Sequence, residues 1–175
     1  IAVNGSRMEP DIRSECDAAR TRFSYIANIQ PDGAPFCFDQ QAFDCGMEQI
    51  IGLDPIKETL RARLAGMAAS NESGRPVLFA GPAGTGKTQL CRVLASALSL
   101  PFEKLSCAGL SSCDFKGSGI VYISYAGVIS NALKRAGTSR MLLLLDEIDK
   151  AQPGAQHALL DLLDGHRSYY EPYLG

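Results

Sequence analysis

A phosphate-binding pattern occupies residues 81–88, Gly-Pro-Ala-Gly-Thr-Gly-Lys-Thr. It matches G-x-x-x-x-G-K-[ST], in which glycines let backbone N–H groups curl around a polyphosphate. Lys87 would place a positive charge on the outer phosphates, and the Thr88 hydroxyl would ligate Mg²⁺. The pattern therefore predicts that a nucleoside triphosphate binds here. The predicted nucleotide-binding residues of this loop are Gly81, Pro82, Ala83, Gly84, Thr85, Gly86, Lys87, Thr88 and Gln89.

An acidic pair, Asp146 and Glu147, follows the apolar run at 141–145. Ligands of open α/β sheets bind beyond the carboxyl ends of the strands, so this pair would face the phosphate loop. Asp146 would hold Mg²⁺, and Glu147 would orient and polarise the attacking water. Glu147 and Lys87 are thus the predicted catalytic residues. The alternative is an acidic, solvated end of a buried strand; the upstream phosphate loop favours catalysis.

The residues on either side of the loop predict the elements that must position it. The apolar residues 77–80 predict a buried parallel strand before the loop. After it, apolar residues recur with the spacing of a helix that packs on a sheet, and Pro101 ends this pattern. A glycine-rich turn that contains Lys-Thr by chance would lack both neighbours. The apolar stripe consists of Leu90, Val93, Leu94, Ala97 and Leu98.

Further strands and helices alternate along the chain, which predicts a three-layer α/β fold with a mostly parallel sheet. Strands are predicted at 102–106 and 141–145, with irregular chain at 107–125. Helices are predicted within 7–29, from an Asp54 N-cap to residue 68, at 126–136 and at 154–164. Residues 1–45 carry weak periodicity and are predicted to be an N-terminal extension or linker, and 46–175 to be the domain proper.

Composition excludes several classes of protein. The chain has 175 residues, a net charge of −2 and 46% hydrophobic residues, which argues against a global basic field for nucleic acid. No apolar stretch is long enough to span a bilayer, and no signal peptide is evident. The six cysteines form no C-x-x-C pair. Free thiols in a reducing compartment, the cytoplasm or an organelle matrix, are therefore expected rather than a metal site or disulfides.

The two motifs and the turn Ile-Ile-Gly-Leu-Asp at 50–54 together resemble the AAA+ ATPases, and within them the ATPase module of Lon-type proteases. Three stretches are similar to Lon: Tyr122-Ile123, residues 133–138 and residues 158–164 with the later Tyr-Leu pair. The resemblance covers about residues 48–175. It implies the large AAA+ subdomain of a P-loop NTPase, truncated before the remaining core strands, the arginine finger and the helical lid.

The resemblance also implies partners and further site residues. ATP with Mg²⁺ would bind at the interfaces of a homo-oligomeric ring, usually a hexamer, and Ile51 and Gly52 would line the adenine pocket. Tyr122, with Ile123 beside it, would be the pore-loop residue that grips an unfolded polypeptide. A packed loop aromatic is the alternative for Tyr122, and Tyr125 is a competing candidate. Gly119, Ile120 and Val121 stand where Lon-type ATPases often carry a basic pair.

Three functions remain open at this point. The first is ATP-driven unfolding or remodelling of protein, as in a Lon-like protease or unfoldase. The second is an AAA+ ATPase of the clamp-loader or helicase-loader type acting on nucleic acid, although Lys and Arg are scattered rather than clustered. The third is a nucleotide-dependent scaffold. Because a neighbour's arginine supplies much of the rate in such enzymes, the isolated fragment is expected to be weakly active or inactive.

Overall fold

The computed structural model describes residues 10–31, 34–71, 75–120, 123–163 and 172–173. Seven α-helices and four strands lie within these ranges, together with a 3₁₀ turn at Ile148–Lys150. The helices are α1 (Pro10–Ala27), α2 (Gln40–Glu48), α3 (Asp54–Ser70), α4 (Lys87–Ala97), α5 (Ser112–Lys116), α6 (Val128–Ala136) and α7 (Pro153–Leu163). The strands are β1 (Phe102–Ser106), β2 (Ser118–Ile120), β3 (Ile123–Tyr125) and β4 (Leu142–Asp146).

Strands β1 and β4 form the parallel pair on which the described part of the domain is built. Their register runs from Phe102 opposite Leu142 to Ser106 opposite Asp146. Successive side chains of a strand point to opposite faces, so each strand contributes to two layers. The α/β class predicted from the sequence is thus confirmed, with helices on both faces of a parallel pair.

The first face carries a core made by α2, α3 and α4. Phe43 of α2 is fully buried, and Leu142 of β4 packs against the same cluster. Burial of each large apolar side chain contributes roughly 1.5–3 kcal/mol. Helix α2 lies so close to α4 that a Cβ added at Gly46 would be 2.6 Å from Val93 Cγ1. The buried residues of this cluster are Phe43, Met47, Ile50, Leu60, Leu64, Leu90, Val93, Leu94, Ala97 and Leu98.

The opposite face carries a second core made by α5, α6 and α7. Leu143 and Leu145 of β4 pack against it, as does Leu105 of β1. The alternation of β4 side chains between the two cores fixes the register of the strand. This strand therefore joins the two helical layers. The buried residues of this cluster are Cys107, Phe115, Ile129, Ala155, Ala158 and Leu159.

Residues 29–31 and 34–39 lie beside the amino ends of β1 and β4. Gln30 forms a parallel bridge with Thr138: its N–H donates to Gly137 O, and its carbonyl accepts from Ser139 N–H, both at 3.0 Å. Arg140 donates to Ala34 O, and its guanidinium carbon lies 4.3 Å from the Phe36 ring centroid. A cavity of about 320 Å³ lies beside this segment, lined by Phe36, Asn71, Leu100, Ser139, Arg140 and Met141.

Helix α2 crosses the predicted domain boundary at residues 45–46. The side chain of Asp39 caps the N-terminus of α2 by accepting a hydrogen bond from Ala42 N–H at 2.9 Å. The backbone N–H of Asp39 donates to Ala97 O of α4 at 2.8 Å. Phe43 and Met47 lie on either side of the boundary, and both belong to the first core. Part of the predicted extension therefore packs with the domain.

The predicted strand at 77–80 is absent. Residues 75–80 have no regular structure, and Val77 and Leu78 are 44% and 81% exposed. Within the described residues no strand pairs with this segment, and backbone groups form a strand only where ladder partners accept and donate their hydrogen bonds. Strand β4 is likewise only half-buried along its length, whereas five apolar residues predict full burial.

Two smaller expectations are also corrected. Residues 107–125 are not irregular throughout, because they contain α5 and the antiparallel β2–β3 hairpin. Helix α3 begins at Asp54, so Leu53 and not Asp54 is the N-cap residue. Gly52 and Leu53 both have left-handed backbones, and this turn starts the helix one residue before Pro55. None of the helices in the described ranges has the length and apolarity needed to cross a membrane.

Candidate nucleotide-binding site

The phosphate loop connects residue 80 to the first turn of α4. Gly84 and Gly86 have φ angles of 80° and 82°, in the left-handed region that glycine enters without a steric penalty. Gly86 is the N-cap residue of α4, and its carbonyl accepts from Leu90 N–H at 2.9 Å. The glycines of the pattern thus produce the turn that leads the chain into the positive end of α4.

Lys87 lies folded into this loop. Its ammonium donates to Gly81 O at 2.9 Å and to Pro82 O at 2.5 Å, while Thr85 Oγ1 donates to Pro82 O at 2.9 Å. These contacts keep a cation inside the curve of the backbone. Carbonyl oxygens are neutral acceptors, so a phosphate oxygen would be a stronger partner for the same ammonium. The loop therefore holds its charge where a polyphosphate would need it.

Asp146 ends β4 and is held by two donors. Lys104 Nζ lies 2.7 Å from its Oδ2, and Glu147 N–H donates to its Oδ1 at 3.1 Å. The hydrogen bond from Lys104 is the main cause that lowers the pKa of Asp146, while partial burial opposes it. The positive charge of Lys87 adds to the lowering. The structure thus brings the acidic strand end within electrostatic reach of the phosphate loop.

Glu147 follows directly, with a left-handed backbone at φ 56°. Its Oε1 pairs with Lys150 Nζ, and Ser106 Oγ donates to its Oε2 at 3.5 Å. The hydrogen bond and the charge of Glu147 raise the pKa of Lys150. The side chain of Glu147 is 40% exposed, so water reaches it. Its position suits a carboxylate that acts on a water molecule.

The turn at Ile50–Leu53 lies beside the phosphate loop. Ile50 is buried, and its Cγ2 would be 4.0 Å from a Cβ added at Gly86. Its carbonyl accepts from Lys57 Nζ at 2.6 Å. Ile51, in contrast, is 97% exposed, although it is a large apolar residue. Ile51 and Gly52 therefore stand next to the loop in the open position that a base-contacting residue requires.

The remaining predicted residues fall in several places. Pro82 and Ala83 are exposed in the loop, Thr88 is half-buried in the first turn of α4, and Gln89 is exposed beside it. The pore-loop residue Tyr122 lies outside the described residues, and Ile123 begins β3.

Sequence analysis missed two residues of the site, Lys104 and Ser106. They lie on the same face of β1 as Asp146 does on β4, because alternate residues share a face. The two-residue spacing of Lys104 and Ser106 within the predicted strand 102–106 was the signal that they share a face.

Two buried thiols lie near the acidic strand end. Burial, with a smaller effect of the negative charge of Asp146, raises the pKa of Cys107 to about 11. The same causes in the same order raise the pKa of Cys91, which lies one turn after Lys87. Both thiols are protonated at neutral pH, which leaves them unreactive.

A glycine loop that leads into a helix, with an ionised carboxylate at the end of a parallel strand near its lysine, defines a P-loop nucleotide-binding domain. Residues 77–172, more than half of the chain, match the family model described as "ATPase family associated with various cellular activities (AAA)". The chain therefore belongs to the AAA family, as the resemblance predicts.

Curated relatives are Lon proteases. The chain is 35% identical over 132 residues to Lon protease of Karelsulcia muelleri, which is 70% of this chain and 15% of that protein. It is 32% identical over 168 residues to Lon protease of Desulfovibrio desulfuricans, 89% of this chain and 19% of that protein. The identity to the mitochondrial Lon protease homolog of Phaeodactylum tricornutum is 36% over 130 residues, 70% of this chain and 15% of that protein. The module is thus of Lon type, and the chain spans less than a fifth of each of these relatives.

Proposed function

We propose that this chain binds and hydrolyses ATP as a subunit of an AAA+ ring that unfolds or remodels protein, in the manner of a Lon-like protease or unfoldase. One observation carries the proposal: α4, which begins at Lys87 of the phosphate loop, shares a core with β4, the strand that ends in Asp146. A hydrolytic site needs both an anion-binding cradle and a carboxylate beside it. Neither motif alone would support hydrolysis.

The nucleotide would be held by the loop and the adjacent turn. Backbone N–H groups of residues 81–88 and the start of α4 would bind the phosphates. Lys87 would exchange its carbonyl partners Gly81 and Pro82 for phosphate oxygens. Ile51, almost fully exposed, would cover the base by apolar contact with Gly52 beside it.

The residues present fit Mg²⁺. The lowered pKa of Asp146 keeps its carboxylate ionised at neutral pH, and the Thr88 hydroxyl is the second oxygen ligand of the chain. Bound there with the nucleotide, the metal would neutralise charge on the phosphates. Glu147 would orient and polarise the attacking water, with Ser106 and Lys150 as its partners.

The assembly and the substrate are also part of the proposal. The similarity to Lon proteases supports an oligomeric assembly. The proposed form is a homo-oligomeric ring, a hexamer in which a neighbouring subunit would supply the arginine finger. A polypeptide would be gripped by Tyr122 and by Ile123, the first residue of β3. Ile120, at the end of β2, is 66% exposed, so an apolar side chain is available in the same hairpin.

The test compares what stimulates ATP turnover by the full-length assembled protein. We expect an unfolded protein such as reduced casein to raise the ATPase rate, and single-stranded or duplex DNA to leave it unchanged. Stimulation by DNA alone would assign the chain to the nucleic-acid ATPases. Tight ATP binding without turnover under any of these conditions would assign it to nucleotide-dependent scaffolds.

A further inference from the structure

The ion pair between Lys104 and Asp146 joins a residue outside both sequence motifs to the proposed metal ligand. We propose that Lys104 is the counter-ion of Asp146 and competes with a divalent cation for its carboxylate. Metal binding then becomes strong only together with the triphosphate. This inference deepens the proposed function and rests on Asp146 being the metal ligand.

The register of the two strands places Lys104 where it can pair with this carboxylate. Lys104 stands opposite Leu144, and Ser106 stands opposite Asp146. Lys104 is thus a diagonal neighbour of Asp146 on the same face, within reach of a long side chain. The Nζ–Oδ2 distance of 2.7 Å is that of a charge-assisted hydrogen bond. Since Oδ1 accepts from Glu147 N–H, both carboxylate oxygens of Asp146 already have donors.

Electrostatics make the pair a barrier to a metal that arrives alone. A divalent cation bound to Asp146 would be repelled by the ammonium of Lys104, which pairs with the same carboxylate. The positive charge of Lys87 acts on Asp146 as well. Because Glu147 is already paired with Lys150, the carboxylate of Asp146 alone would face two ammonium groups and a divalent ion, which it cannot offset. A triphosphate brings several negative charges to the same place, which offsets the repulsion. By thermodynamic linkage, bound nucleotide must then raise the affinity of the site for the metal. Bound metal must raise the affinity for the nucleotide by the same factor.

Lysine is suited to a counter-ion that must release the carboxylate of Asp146 when the metal binds. A lysine ammonium is a compact charge on a flexible stem, whereas arginine prefers a fixed two-pronged pairing with carboxylates. The side chains of Lys104 and Asp146 are 42% and 32% exposed, so water can replace either partner. Lys104 is therefore a positioning residue that sets the metal affinity of Asp146.

The experiment measures Mn²⁺ binding to the full-length protein by electron paramagnetic resonance, without nucleotide. We expect Lys104→Met and Lys104→Gln to bind Mn²⁺ roughly tenfold more tightly than wild type, from removal of one charge about 5 Å from a divalent ion in a largely solvated site. Lys104→Arg keeps the charge and pairs more firmly with the carboxylate, so it should bind Mn²⁺ no more tightly than wild type. Lys134→Met, which removes an exposed charge from α6, is the matched control and should change nothing. Adding Asp146→Asn to Lys104→Met should abolish the gain.

Two results would overturn the counter-ion role. One is equal Mn²⁺ affinity of wild type and both neutral variants. The other is a tenfold loss of ADP affinity by Lys104→Met in EDTA, which would assign Lys104 to the phosphates instead; we expect a change of less than twofold. These outcomes are separate from the proposed function. If wild type fails to bind Mg·ATP, the nucleotide proposal falls, while the Mn²⁺ series still decides the role of Lys104.

Discussion

Ser106 Oγ, at the end of β1, lies 3.5 Å from Glu147 Oε2, just beyond the end of the neighbouring strand β4. The contact exists because the parallel register puts Ser106 opposite Asp146, so residue 147 emerges beside it. Two strands distant in sequence thus meet at one carboxylate. The orientation of the proposed catalytic glutamate depends on a residue that belongs to neither sequence motif.

Replacement of Ser106 tests this relationship. We expect Ser106→Ala to lower kcat for ATP by roughly three- to tenfold with little change in KM, since a hydrogen bond as long as 3.5 Å to a partly exposed carboxylate contributes only about 0.5–1.5 kcal/mol. Ser106→Thr, which keeps the hydroxyl, should restore most of the rate. Ser96→Ala, an exposed serine of α4, is the control. A rise in KM with an unchanged kcat would show that Ser106 acts on binding and not on Glu147.

Glu147→Gln should separate binding from hydrolysis. The amide keeps the size of the side chain but cannot accept a proton from water, so turnover should fall by two orders of magnitude or more. Affinity for Mg·ATP, measured by calorimetry, should remain within a few-fold of wild type. Hydrolysis at the wild-type rate would refute the role given to Glu147. Asp149→Asn, two residues further along, is the matched control and should hydrolyse ATP normally.

Lys87→Ala should remove nucleotide affinity. Loss of a charge-assisted hydrogen bond of about 1.5–3 kcal/mol predicts a Kd for Mg·ADP that is roughly 10- to 100-fold higher. Calorimetry on wild type and variant provides the measurement, with Lys134→Ala as the control for loss of one positive charge. Unchanged affinity would mean that the ammonium stays on the carbonyls of Gly81 and Pro82 and takes no part in binding.

Gly46 and Gly66 offer a matched pair for the packing of α2 on α4. An added Cβ at Gly46 would lie 2.6 Å from Val93 Cγ1, so Gly46→Ala should lower the free energy of unfolding by about 1–3 kcal/mol. Nothing lies within 4 Å of a Cβ at Gly66 of α3, so Gly66→Ala should raise it by about 0.5–1 kcal/mol. Denaturant titration of both variants gives the comparison. Equal shifts in the same direction would contradict the close approach of the two helices.

The N-terminus of α5 should give a pH-dependent contribution to stability. Ser111 and Asp114 form a capping box, and the hydrogen bonds from the Ser111 side chain and backbone lower the pKa of Asp114. A lowered folded-state pKa means that the stabilisation is present above the unfolded value of 3.8 and is lost as pH falls through the folded value. Asp114→Asn should therefore cost about 0.5–1 kcal/mol at pH 7, and this cost should shrink as pH falls below 3.8 through the lowered folded-state pKa. If the loss of stability in Asp114→Asn did not depend on pH, the ionised carboxylate of Asp114 would not be what stabilises the N-terminus of α5.

Local patterns predict much of this molecule. The glycine loop, the stripe of α4 and the apolar run of β4 each carry their signal within a dozen residues, and all three lead to the elements observed. The residues 77–80 show the limit of such signals. Their apolar character predicts a strand, but a strand forms only where a neighbour can pair with it.

The contacts that complete the candidate site depend on register and not on composition. Lys104 and Ser106 acquire their partners because β1 and β4 align without a shift, and a shift of one residue would place both on the opposite face. A single sequence does not contain this alignment. The same reason explains why the phosphate loop and Asp146 are each predictable from local sequence, while the pairing of Lys104 with Asp146 is not.

The bridge between Gln30 and Thr138 has a mechanical consequence. Helix α1 continues into the segment that Gln30 fastens to residues 137 and 139, immediately ahead of β4. A tensile load applied to α1 would thus enter β4 at its amino end. Asp146 stands at the other end of the same five-residue strand, about 13 Å from Leu142 at the rise of an extended chain. Strand β4 therefore connects the attachment point of the N-terminal segment at one end to the proposed metal ligand at the other.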